Sequence, residues 1–223
     1  MNHSSSLPRR LAAEGMGTAF LLMTIIGSGI MGERLSEGNN AITLLANSLA
    51  TGCSLAVLIL IFSPVSGAHF NPAVTLCMAL QKKMAWREAA LYAAVQILFA
   101  FAGVAAAHLM FGEPLFFTSE KLRSGWPQWW SEFVATFGLL MVIWNCVKLK
   151  NGPAASLAIA AYIVAAYWFT ASTSFANPAV TLARAMSNTF AGIRPEDVAA
   201  FVLAQTAGAI MATVFSRWIT SRD

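Results

Sequence analysis

The sequence predicts an all-α membrane protein: six transmembrane helices and two re-entrant half-helices in an inverted three-plus-three repeat. Three observations predict it. The composition is 57% hydrophobic and only 11% charged over 223 residues, a membrane balance rather than a soluble one. The hexapeptide Asn71-Pro72-Ala73-Val74-Thr75-Leu76 returns as Asn177-Pro178-Ala179-Val180-Thr181-Leu182, each copy between long apolar runs. Each copy opens a helical stretch of about ten residues, which rises only about 15 Å, half of a ~30 Å hydrocarbon core.

A half-length helix must be entered through non-helical backbone, tolerated at that depth only where protein buries it or it lines a polar cavity. Asn suits the N-cap and Pro the first helical position. Once the Asn oxygen caps the first turn, its NH2 is left to donate into a lumen. A single Asn-Pro reads as a surface turn. Two matched copies inside apolar sequence do not, and they point to a pore or carrier.

The elements follow in order. Arg9 and Arg10 precede an apolar run from Leu11 to Met31, too long for a signal-peptide core and taken as a retained span. Ala41 to Phe62 is the second span. Ser63 to Phe70 leads into the first half-helix, which Lys82 and Lys83 end. Trp86 to Met110 is the third span, and 112–128 the longest loop, with Trp126, Trp129 and Trp130 as an interfacial aromatic belt. Ser131 to Val147 and Ala154 to Thr170 are the fourth and fifth spans. The second half-helix closes near Asn188, and Pro195 opens the sixth span. The chain reads as one domain, 1–223, with repeats at roughly 9–111 and 127–218.

Other residues obey the same repeat. Glu14 has its counterpart in Glu132, and Gln96 in Gln205. Three spans per half put the halves in opposite orientations, so the half-helices meet Asn to Asn at the centre. Arg9, Arg10, Lys82, Lys83, Arg87, Lys148, Lys150, Arg217 and Arg222 fall on one side; Arg34, Lys121, Arg123, Arg184 and Arg194 fall on the other. The positive-inside rule makes both termini cytoplasmic. The net charge of +4 belongs to these flanks and suggests no nucleic acid partner. Cys53, Cys77 and Cys146 lie in apolar runs without metal-ligand spacing, so neither a disulfide framework nor a metal site is expected.

The paired Asn-Pro-Ala boxes, the inverted repeat and the two early glutamates resemble the aquaporin (major intrinsic protein) family from Leu11 to Trp218. The resemblance implies a homotetramer in the plasma membrane, one pore per subunit, and passive flow of water or small uncharged solutes without a cofactor. It implies that Asn71 and Asn177 are the central donors, with Pro72, Ala73, Pro178 and Ala179 completing the motifs. It implies also that Glu14 and Glu132 brace the re-entrant loops. His69, just before the first box, is the candidate for the cytoplasmic vestibule, with a merely packed histidine as the alternative. Physics points the same way, since two helix N-termini at the midplane oppose cations. The competing reading is a proton-coupled carrier using Glu14 and Glu132, because an intramembrane carboxyl is a relay candidate by default.

The sequence departs from the family pattern at one constriction. Typical members follow the second box at once with arginine; here that position is Val180. By the family's spacing the other filter positions are Thr51, Ala165 and Ser174. All four are small, which implies a wide, apolar filter of the kind found in arsenite- or polyol-permeable bacterial members. Arg184, one turn beyond Val180 on the same face, is the candidate for a displaced guanidinium at the pore mouth, with interfacial snorkelling as the alternative.

Overall fold

A computed structural model describes residues 5–149 and 152–220. Among them the chain forms eight helices: α1 (Leu7–Leu35), α2 (Asn40–Ser66), α3 (Pro72–Leu80), α4 (Trp86–Phe111), α5 (Trp126–Leu149), α6 (Gly152–Phe169), α7 (Pro178–Arg184) and α8 (Pro195–Thr220). Five of these (α1, α2, α4, α6, α8) are long and apolar enough to cross a membrane. At 24 residues α5, the remaining expected span, extends about 36 Å. The short helices α3 and α7, of nine and seven residues, are the two half-helices.

Each half closes on a helix pair, α1 with α4 and α5 with α8, while α2 and α6 join the halves. Both pairs depend on a glycine at the crossing. A Cβ at Gly103 would lie 2.4 Å from the Ala19 carbonyl oxygen, and one at Gly208 would lie 2.4 Å from that of Phe133. In lipid, where no hydrophobic effect drives helices together, such small residues permit the backbone approach that packing needs.

Ion pairs and caps tie the ends. Arg10 makes a two-pronged bond to Glu88 (3.0 and 2.7 Å), and Arg217 donates to the Leu80 carbonyl (2.8 Å). The start of α1 and the end of α8 therefore share one face, the near face. On the opposite, far face Arg34 pairs with Glu113 (2.9 Å). Lys150 and Arg222, two of the charges used for orientation, lie outside the described residues.

Several boundaries differ from the sequence reading. α1 begins at Leu7, where Pro8 fits the first turn, and continues to Leu35. α2 runs through Pro64 to Ser66, because left-handed Gly67 (φ 91°) is what stops it and donates back to Ser63. The three belt tryptophans lie on the first turns of α5, not in the loop. α7 stops at Arg184, short of Asn188. The loop segment at Phe117 and Ser119 donates to the Met186 and Ala185 carbonyls and draws the chain out of the helix.

Candidate functional site

The two Asn-Pro-Ala boxes lie side by side in the middle of the fold, where α3 and α7 meet. Asn71 Oδ1 accepts from the Ala73 N–H (2.9 Å), and Asn177 Oδ1 from those of Ala179 (3.0 Å) and Val180 (3.3 Å). Pro72 and Pro178 occupy the first turns, where no donor is missed. Each asparagine then reaches across. Asn71 Nδ2 donates to the Ala176 carbonyl (2.7 Å) and Asn177 Nδ2 to the Phe70 carbonyl (2.8 Å). An amide NH2 carries two hydrogens, so each asparagine retains one N–H.

The loops entering the half-helices are conformationally costly. Ala68 (φ 51°) and Phe70 (φ 49°) are left-handed in the first; Thr173 (60°), Ser174 (49°) and Ala176 (47°) are left-handed in the second. Such backbone costs of order 1–3 kcal/mol per residue and persists only where its surroundings fix it. The two glutamates do the fixing. Buried Glu14 accepts from Ser66 Oγ (2.7 Å), the His69 N–H (2.9 Å), the Phe70 N–H (2.7 Å) and Gln96 Nε2 (2.8 Å). Buried Glu132 accepts from the Phe175 N–H (2.9 Å), the Ala176 N–H (2.9 Å) and Gln205 Nε2 (2.6 Å). Gln96 and Gln205 also donate to Thr75 and Thr181, so the repeat extends to the partners of the partners.

A cavity of about 320 Å³ runs past both asparagines. His69 lines it towards the near face, with Nδ1 3.0 Å from Thr75 Oγ1 and the ring against Tyr92. Much of the wall is apolar, supplied by Leu21, Ile25, Leu55, Ile59, Ile163 and Val180. Towards the far face it becomes polar, with Thr51, Ser174 and Arg184 brought together there.

Ala165 is not among them, and this corrects the sequence reading. It is exposed on the outside of α6. The cavity-facing stripe is Ala155, Ile159, Ile163 and Tyr167, spaced four apart, and two residues of helix rotate Ala165 to the opposite side. Tyr167 stands in its place and donates to Thr51 Oγ1 (3.4 Å), so the far end is narrower than four small residues would leave it.

Arg184 is buried, 1% exposed, rather than extended to the interface. Its Nε bonds the Ala191 carbonyl, and its guanidinium carbon stacks 3.3 Å from the centroid of the Phe175 ring. Arg123, which the sequence reading treats as a loop charge, is also buried. Its guanidinium donates to the Gly192 (2.8 Å) and Ser172 (2.9 Å) carbonyls and lies 4.8 Å from the same ring. Nothing local in the sequence distinguishes Arg123 from its exposed neighbours.

Comparison with known proteins gives a consistent result. Residues 1–170 match the family model described as MIP, major intrinsic protein. The chain is 49% identical over 213 residues to "Aquaglyceroporin AqpS" of Rhizobium meliloti (strain 1021), covering 96% of this chain and 91% of that protein. It is 33% identical over 185 residues to "Aquaporin NIP1-1" of Oryza sativa subsp. japonica, covering 80% and 64%. Among solved structures, the aquaglyceroporin from Plasmodium falciparum superposes with a TM-score of 0.71 over 96% of this chain and 95% of that one. At 21% identity that likeness is one of fold.

Proposed function

The chain belongs to the major intrinsic protein family, and from that premise we propose that it is a passive channel for water and glycerol-like solutes, with neutral metalloid hydroxides such as arsenite also admitted. It is a channel and not an enzyme. The observation that carries the reading is the spent-and-spare pattern of the two asparagines: one N–H of each fixes the opposite loop, and one remains beside an otherwise apolar wall. A neutral polyol or trihydroxide slides its oxygens past two donors while its carbon or arsenic side meets Ile and Val. A cation meets two helix N-termini, and no carboxylate is among the described residues that line the cavity.

The filter in this reading is Thr51, Tyr167, Ser174 and Val180, with Arg184 one turn further out. The halves at 9–111 and 127–218 form one pore, the subunit assembles as a homotetramer in the plasma membrane, and the near face is cytoplasmic. A proton-coupled carrier is disfavoured by the hydrogen bonding of Glu14 and Glu132, whose oxygens are all engaged by loop donors and glutamines.

Vesicle swelling with water, glycerol and arsenite tests the proposal. Linear, non-saturating flux of all three is expected, with no response to a pH gradient. Val180→Arg should cut glycerol and arsenite flux while sparing water. Uphill accumulation driven by a pH gradient would overturn the reading in favour of a carrier.

A further inference from the structure

Two polar groups at the far end of the cavity are buried without a partner: Ser174 Oγ and Arg184 Nη1. A buried donor left unmade is costly, more so when charged, so an arginine hydrogen held this way points to something that occupies the space beside it. Among the described residues no carboxylate forms an ion pair with Arg184 or Arg123. Arg123 is 6% exposed and bonds only neutral oxygens through its guanidinium, and Lys121 stands close enough to feel both arginines. The nearby acids keep their charge but spend their oxygens on other donors. Glu132 is bound by the second loop and Gln205, Glu33 accepts from the Phe190 N–H, and Asp197 pairs with Arg194 and accepts the Arg123 backbone N–H.

We propose that the far mouth of the cavity is a binding site for a small monovalent oxyanion, held by Arg184 Nη1 and Ser174 Oγ, and that the bound anion obstructs the channel without crossing it. The proposal rests on the channel reading above. Charge-assisted bonds to an oxyanion are the strong ones, and a guanidinium backed by an aromatic face is fixed in direction before the ligand arrives. Below the site the anion meets Val180, Leu21, Ile25, Leu55 and Ile59. Stripping an ion of its water for that apolar stretch is costly, and one N–H from each asparagine is too little replacement. A neutral solute has no such barrier, so anion and solute share the mouth and only the solute passes.

Nitrate is the suitable probe, because it has no neutral form to permeate at working pH. Glycerol swelling is measured in proteoliposomes with nitrate replacing gluconate on both sides at constant ionic strength. Saturable inhibition is expected, with the half-inhibiting nitrate concentration raised about tenfold in Arg184→Gln, raised by less in Arg184→Lys, which keeps the charge but not the stacked guanidinium, and raised less steeply in Ser174→Ala. Nitrate should carry no current across a planar bilayer. The purified protein should show a nitrate-dependent rise in Tm that Ser174→Ala weakens, a measurement independent of flux and of whether the arginine variants fold. Glycerol flux insensitive to nitrate, inhibition equal in Arg184→Gln, or a nitrate current would each overturn the anion site. Absence of glycerol flux in the wild type would instead sink the channel reading.

Discussion

Tyr167 donates its hydroxyl to Thr51 Oγ1 at 3.4 Å, joining α6 to α2 across the far end of the lumen. The contact bridges residues 116 positions apart and, in the proposed filter, narrows the opening beside Val180. Tyr167→Ala should therefore raise glycerol flux severalfold and extend passage to longer polyols, whereas Tyr167→Phe keeps the ring and should change flux by less than about twofold. Stopped-flow swelling with a ladder of polyols checks this; identical size cut-offs in wild type and Tyr167→Ala would remove Tyr167 from the filter.

The central asparagines should tolerate aspartate poorly. Asn71→Asp keeps the cap on Ala73 but loses the donor to the Ala176 carbonyl, and Asn177→Asp loses the donor to Phe70. Each change orphans a buried carbonyl, at about 1–3 kcal/mol, and adds a negative charge at the throat. Lower thermal stability with reduced glycerol flux or increased cation leak is expected from either variant. Unchanged flux and unchanged cation exclusion in both would refute the assignment.

The glutamates should differ from each other. Glu14 accepts two donors on each oxygen, so an amide NH2 in Glu14→Gln must face donors whichever way it turns. Among the described residues a single donor, the Phe175 N–H, reaches Glu132 Oε1, so Glu132→Gln confronts one donor there. Folded yield should fall in the order wild type, Glu132→Gln, Glu14→Gln, and furthest for alanine at either position. Size-exclusion recovery in detergent reads it. Loss of transport in a well-folded Glu132→Gln would instead argue for proton chemistry.

Lys121 gives the loop between α4 and α5 a pH response. Burial first, then the Arg123 and Arg184 charges, pushes its ammonium from 10.5 down to about 8, with Glu33 opposing. The folded-state pKa lies below the unfolded one, so the unfolded chain keeps the proton longer between those values. This group's contribution to stability therefore rises as pH climbs from about 8 towards 10.5, and its cost is fully present below 8. Thermal melts across that window should show a positive slope that Lys121→Met flattens. An unchanged slope in the variant would assign the effect elsewhere.

The parts of the site legible in the sequence are those that obey the repeat. Asn71 with Asn177, Glu14 with Glu132 and Gln96 with Gln205 identify one another as matched polar residues in apolar surroundings. The far mouth has no such internal copy. Ala165 rests on spacing counted back across a loop, and an error of two residues on a helix turns a side chain to the opposite face. The end of α7 is hidden because the carbonyls just beyond it, at Ala185 and Met186, accept from Ser119 and Phe117, far upstream in the chain. Arg123 was hidden for the same reason, since its burial comes from carbonyls at Ser172 and Gly192.

The crossed amide bonds at the centre also order events in time. Asn71 and Phe70 are made first, and their partners Ala176 and Asn177 follow more than a hundred positions later. At ordinary synthesis rates that interval is on the order of 5–20 s. Through it the first re-entrant loop has its glutamate anchor but not its closing bonds. Until then the Phe70 carbonyl and the Asn71 amide lack the partners they have in the folded chain. Its half-helix settles only when the second copy of the hexapeptide arrives from the other side.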